Sequence, residues 1–134
     1  MSEIGILTIT TLKDARLATT RRNVQNWTDI LHAINEFRSA PTLFQLSRNE
    51  GTLLYMMLDG DLVHLSVFDP PELCHYLTYD ESEGLNGYVD LGWNSYPAWS
   101  VVRGVDRVLD IAKLFVEQHR LASDAQWREE VLDL

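Results

Sequence analysis

Residues 3–12, EIGILTITTL, alternate in character: Ile4, Ile6, Thr8 and Thr10 fall on one side and Gly5, Leu7, Ile9 and Thr11 on the other. That period of two predicts a first β-strand. Residues 13–23, KDARLATTRRN, have no clean period and carry four bases, so they read as a connection, with Arg21 and Arg22 in a solvated turn. From residue 26 the period lengthens, and Trp27, Ile30, Leu31, Ile34 and Phe37 form one stripe at helical spacing. Asn26 is placed as the N-cap and Asp29 favours the positive helix end, so a helix is predicted to about Arg38. Pro41 closes it, because the residue before a proline is pushed out of the helical region.

Three extended segments come next, Thr42 to Arg48, Thr52 to Leu58 and Asp61 to Val67, separated by Asn49-Glu50-Gly51 and Asp59-Gly60. Both separators are hairpin signals, since glycine adopts positive φ without steric cost. Pro70-Pro71 breaks the chain and Leu73 to Tyr79 resumes it. An acidic turn, residues 80–84, then leads to an extended run from Leu85 to Trp93. The second helix is the clearest element: Val105, Val108, Leu109, Ala112, Phe115 and Val116 line one face over about residues 105–121. Ser123 and Asp124 end or restart it, Trp127 packs the C-terminal segment back, and residues 128–134 are expected to fray. The order predicts an α+β fold, an antiparallel sheet of about five to seven strands with two main helices packed on one face.

Composition sharpens this to one domain. A chain of 134 residues with 46% hydrophobic content and only four prolines and seven glycines is expected to form one ordered core over residues 1–134. A lone cysteine, Cys74, excludes an intramolecular disulfide. The opening MSEIGILT has no basic region followed by an apolar one, and no apolar run approaches the roughly 20 residues a membrane span needs, so a soluble cytoplasmic protein is expected.

Charge changes the picture most. The net charge is −9, and residues 49–102 contain nine acidic side chains and no Lys or Arg. The flanks are neutral overall. All five tyrosines and two of the four tryptophans share that stretch. Such segregation weighs against nucleic acid and anionic membranes as partners, both of which need clustered cations. It suggests instead a protein-binding face aimed at a basic partner.

Candidate chemistry is sparse. No HExxH, CxxC, paired H-x-E and P-C-x-x-C, GxGxxG or GxxxxGK[ST] occurs, and neither a metal nor a cofactor is expected. Cys74 and His75, with His64 on a neighbouring strand, are the best cluster for metal or Cys-His chemistry. Adjacent residues on a strand point to opposite faces, however, so an unbulged strand cannot aim both at one ion. Asp59 and Asp61 could share a strand face as acid and base, but they flank a hairpin glycine and read as solvated turn residues. The segment 85–102, LNGYVDLGWNSYPAWSVV, gathers Tyr88, Trp93, Tyr96 and Trp99 among turn residues. Aromatics of this kind serve either as interface anchors or as core anchors.

The second helix and the segments flanking it, VVRGVDRVLDIAKLFVEQHRLASDAQW, resemble the C-terminal signature of family one of the bacterial polymorphic-toxin immunity proteins, whose toxins include nucleic-acid deaminases. The signature is an apolar helix with a late Phe, a polar linker and a single Trp. Phe115 and Trp127 fill those places, and Val101-Val102 lie where the family enters the helix. The likeness covers roughly residues 26–127. Where the family often has Gly and Pro in the linker, this chain reads HRLASDAQ.

The resemblance implies a non-enzymatic protein that binds and neutralises a cognate toxin domain one to one, occluding a basic active-site surface. A toxin acting on nucleic acid presents cationic surface, so an acidic face with aromatic anchors would compete for it. The expected contacts are Asp59, Asp61, Asp80, Glu81, Glu83 and Asp90, with Tyr88, Trp93, Tyr96 and Trp99 as anchors. Two other classes fit the composition. One is a small ligand-binding or enzymatic domain with a pocket between sheet and helices, using His64, Cys74 and His75; the other is a subunit whose aromatic surface is a homodimer seam.

Overall fold

The computed structural model describes residues 4–48, 51–69, 72–78 and 86–131. In chain order the elements are β1 (Gly5–Lys13), β2 (Arg16–Val24), α1 (Trp27–Phe37), β3 (Thr42–Arg48), β4 (Gly51–Asp59), β5 (Leu62–Phe68) and β6 (Leu73–Thr78). After them come β7 (Tyr88–Leu91), β8 (Asn94–Pro97), a 3-10 turn (Ala98–Ser100), β9 (Val102–Arg103), α2 (Val105–Gln118) and β10 (Gln126–Val131). The main sheet runs β10-β6-β5-β4-β3-β1-β2, and the short β9 pairs with β5 to make an eighth strand. Every pairing is antiparallel. The α+β architecture predicted from the periods is the one observed.

Each predicted helix forms for the predicted reason. Asn26 Oδ1 accepts the Asp29 amide at 3.0 Å, satisfying one of the free donors at the start of α1, and Asp29 Oδ2 accepts the Gln25 amide at 2.8 Å, tying the residue before the cap to the first turn. Trp27, Ile30, Ala33 and Ile34 are buried on α1, and Val105, Val108, Leu109, Ile111, Ala112, Phe115 and Val116 on α2. They share one core cluster with Leu7, Ile9, Phe44, Leu46, Leu54, Met56, Leu58, Val63, Leu65, Val67 and Leu77, the alternate residues of one sheet face. Both helices therefore cover the same side of the sheet. α2 ends earlier than its stripe suggests, because His119 turns into the left-handed region at φ 53° while its amide still bonds the Phe115 carbonyl.

Two expectations are corrected at the sheet edges. Residues 16–24, expected as a connection, are strand β2, paired with β1 along its whole length. An edge strand solvated on both faces needs no hydrophobic period, and β2 is exposed almost throughout. Its turn, Asp14-Ala15, places both residues at positive φ, 53° and 61°, without a glycine to mark it. Arg22 lies in the strand and not in a turn; its guanidinium pairs with Glu36 of α1 at 2.6 Å and sits over the Phe37 ring. Likewise residues 126–131, most of them expected to fray, form β10 against β6. Backbone pairing holds them, and Trp127 Nε1 donates to the Ala122 carbonyl at 3.1 Å.

The opposite sheet face carries a second, smaller core. Leu43 and Met57 of the sheet meet Leu91, Tyr96 and Val101, with Tyr55, Leu62, Val89 and Trp93 packed around them. The predicted extended run before Trp93 is half of a hairpin: β7 turns at Gly92-Trp93 and returns as β8. Leu85 lies outside the described residues, as do Asn49, Glu50, Pro70, Pro71 and the acidic turn 80–84. No helix among the described residues is long and apolar enough to cross a membrane.

Candidate functional site: an aromatic cleft opposite the helices

Strand alternation decides which side chains reach the hairpin face. On β5 it is His64, Ser66 and Phe68; on β6, Cys74 and Tyr76; on β10, Arg128 and Glu130. Two rows cross the sheet here, Ser66–Tyr76–Arg128 and Phe68–Cys74–Glu130. The 3-10 turn lies over β6, and between the two a cleft of about 350 Å³ opens, lined by Tyr55, His64, Ser66, Phe68, Cys74, Tyr76, Tyr96, Pro97, Trp99, Ser100 and Glu130. Its size falls at the lower end of small-ligand sites. It lies on the side of the sheet away from the helices, not between sheet and helices where the alternative ligand-binding reading put a pocket; the helix side is filled by Phe44, Met56, Leu65 and their neighbours.

The floor of the cleft is built around His64, which is 4% exposed. Its Nδ1 lies 3.1 Å from the Ser100 carbonyl, which can only accept, so Nδ1 carries the proton and Nε2 accepts the Ser66 hydroxyl at 2.8 Å. Burial pushes the imidazole pKa down to about 4, against the raising effect of the Ser100 carbonyl. His64 is therefore neutral at physiological pH. Its ring stacks on Tyr96, and the Tyr96 hydroxyl meets that of Tyr55 at 2.6 Å. Burial, followed by the Tyr55 hydrogen bond, raises the Tyr96 phenol; burial, followed by Cys74, raises that of Tyr76. Burial likewise raises the Cys74 thiol, overcoming hydrogen bonds from Tyr76 and Ser66. The floor is thus polar and uncharged, and Glu130 is the one charged residue in the lining among the described residues.

The predicted contacts are not all free surface. Asp59 Oδ2 accepts the Gly92 amide at 2.8 Å and so holds the β7–β8 turn onto the sheet. Asp61 Oδ1 accepts the Val105 amide at 3.2 Å, supplying the cap that Gly104 cannot give to α2. Asp90 accepts the Ser95 hydroxyl across the small hairpin. Asp80, Glu81 and Glu83 lie outside the described residues. Tyr88 is 76% exposed, Tyr96 is buried at 8%, and Trp93 is half-buried against the smaller core. Trp99 is half-buried at the cleft, with Tyr76 edge-on at 5.5 Å and the Arg128 guanidinium 4.1 Å above its ring. Trp99 and Tyr96 meet at the cleft, while Asp59 and Asp61 belong to the opposite end of the β4–β5 hairpin.

His64 and Cys74 share the cleft, and His75 points to the helix side as alternation requires. His75 Nε2 donates to the Asp69 carbonyl at 3.4 Å, and its Nδ1 lies 3.5 Å from Glu129 Oε1. No group of three His, Cys, Asp or Glu side chains is placed to hold a metal among the described residues. The sequence patterns do not single out Tyr55, Ser66, Phe68, Tyr76, Arg128 or Glu130. For the last two a signal is present: Gln126, Arg128 and Glu130 alternate with Trp127, Glu129 and Val131, a period of two hidden by its polarity. Compared with known proteins, the sequence matches no family model and no curated protein.

Proposed function

We propose that this chain is a cytoplasmic immunity-type protein that binds a basic, nucleic-acid-modifying toxin domain one to one and covers its active-site surface, without a cofactor or catalytic turnover of its own. The observation that carries this reading is unneutralised acid. Asp59, Asp61, Asp69, Glu72 and Asp90 form no ion pair among the described residues, and residues 49–102 contain no base of their own. Lys13, Arg16 and Arg21 lie instead on the far edge strand β2 and its neighbour β1, while Arg103 on β9 and Arg128 on β10 lie beside β5 and β6. These carboxylates would attract a basic partner, and charge would speed encounter while aromatic contacts slow dissociation.

The C-terminal likeness adds support, since Phe115 is a buried residue of α2 and Trp127 anchors the strand after it. The test is binding to the polypeptide encoded by the adjacent gene. Tight association whose on-rate falls steeply with salt, together with loss of the toxin's activity, is expected. Reversing Asp80, Glu81 and Glu83 together is expected to slow association and flatten its salt dependence. Absence of any complex with that polypeptide, or association indifferent to ionic strength, would refute the reading.

A further inference from the structure

The cleft has a polar, neutral floor, aromatic walls and an acidic end. Phe68, Cys74 and Glu130 form its outer row, so a carboxylate stands at that end. Glu130 is the one charged side chain lining the cleft among the described residues, and the neighbouring cation, Arg128, is committed to the Trp99 ring. A phosphate or carboxylate ligand would meet the Glu130 carboxylate and no cation among the described lining residues. A purely aliphatic side chain would cover the hydroxyls of Tyr76 and Ser66 without pairing any further polar group.

We propose that the cleft is the receptor for an arginine side chain of the basic partner, its stem lying along Phe68, Pro97 and the aromatic walls and its guanidinium meeting Glu130. This deepens the immunity reading and rests on it for the identity of the partner. Guanidinium suits the site better than ammonium, because it is planar, weakly hydrated and stacks on aromatic faces while pairing with a carboxylate. Arg128 shows the same chemistry at the rim, with its guanidinium 4.1 Å from the Trp99 ring centre. A buried Arg in an aromatic pocket is also the usual composition of an interface hot spot.

The cleft is tested apart from the toxin by titrating the isotope-labelled protein with butylguanidinium, using butylurea as a neutral control of similar shape. Saturable shifts of the Trp99 indole N–H, absent at the buried Trp27, are expected. Butylguanidinium should bind several-fold more tightly than butylurea, and Glu130→Gln should erase that difference. Non-saturating shifts, or equal binding of the two probes, overturn the inference. With the toxin, Glu130→Gln and Trp99→Ala should each raise Kd by about tenfold or more while circular dichroism stays unchanged. If the toxin binds wild type and both variants equally, the arginine site is refuted and the immunity reading stands. If wild type binds no toxin, the immunity reading falls, and the guanidinium titration alone decides the cleft.

Discussion

His64 and Tyr96 lie ring on ring, their centroids 4.2 Å apart and their planes within 19°. The pair joins the sheet to the β7–β8 hairpin, and burial keeps the imidazole neutral. In the unfolded chain His64 titrates near the usual 6.5, whereas burial holds it at about 4 in the fold. Above pH 6.5 neither state is charged and the shift has no effect on stability. As pH falls from 6.5 to 4 the unfolded state takes up a proton that the folded state refuses, so stability drops, by about 3 kcal/mol in total. Denaturant midpoints measured over that range should fall more steeply for wild type than for His64→Gln. An imidazole ring that titrates near 6.5 in the folded protein would contradict the account.

Gly92 should be far less replaceable than Gly60. Both have φ near +60°, but a Cβ on Gly92 would stand 2.8 Å from Pro41 Cβ and 2.9 Å from Met57 Cε, whereas one on Gly60 meets nothing within 4 Å. Gly60→Ala is expected to cost about 1 kcal/mol for its backbone conformation alone. Gly92→Ala adds overpacking of about 1–3 kcal/mol and lifts the hairpin from the sheet. Urea unfolding of the two variants compares them directly; equal losses would show that the turn does not depend on this close approach.

Asp61 separates a structural role from a binding role. Losing the acceptor for the Val105 amide should destabilise Asp61→Ala by about 1 kcal/mol, and Asp61→Asn should recover most of that. If Asp61 also faces the toxin, Asp61→Asn will slow association while leaving the thermal midpoint nearly unchanged. Thermal melts paired with association kinetics distinguish the two. Equal stability of the Ala and Asn variants would remove the capping role.

The β1–β2 turn offers a stabilising change. Asp14 and Ala15 both hold positive φ, a conformation that Asn-Gly adopts with less strain. Replacing the pair by Asn-Gly should raise stability by about 1 kcal/mol, the relief of strain exceeding the entropy that glycine adds to the unfolded chain. A lower unfolding midpoint in the double variant would show that Asp14 makes a compensating interaction.

What the sequence determined by itself was every element whose pattern is local. The stripe of α1 with its Asn26 cap, the stripe of α2 and the opposite facing of Cys74 and His75 arise from the periods 3.6 and 2, which neighbouring residues alone encode, and Gly60 marks the β4–β5 turn, whose two residues are Gly60-Asp61, one place later than the Asp59-Gly60 pair expected. The tertiary structure decided the rest. β2 and β10 are strands because β1 and β6 offer them backbone partners, and an exposed edge strand need not write a hydrophobic period into its residues. Asp59 and Asp61 read as solvated carboxylates, since a carboxylate looks the same in sequence whether it meets water or an amide; here those amides, Gly92 and Val105, lie 33 and 44 residues further along. The cleft is likewise assembled from residues between Tyr55 and Glu130 that only the antiparallel register brings into adjacent rows.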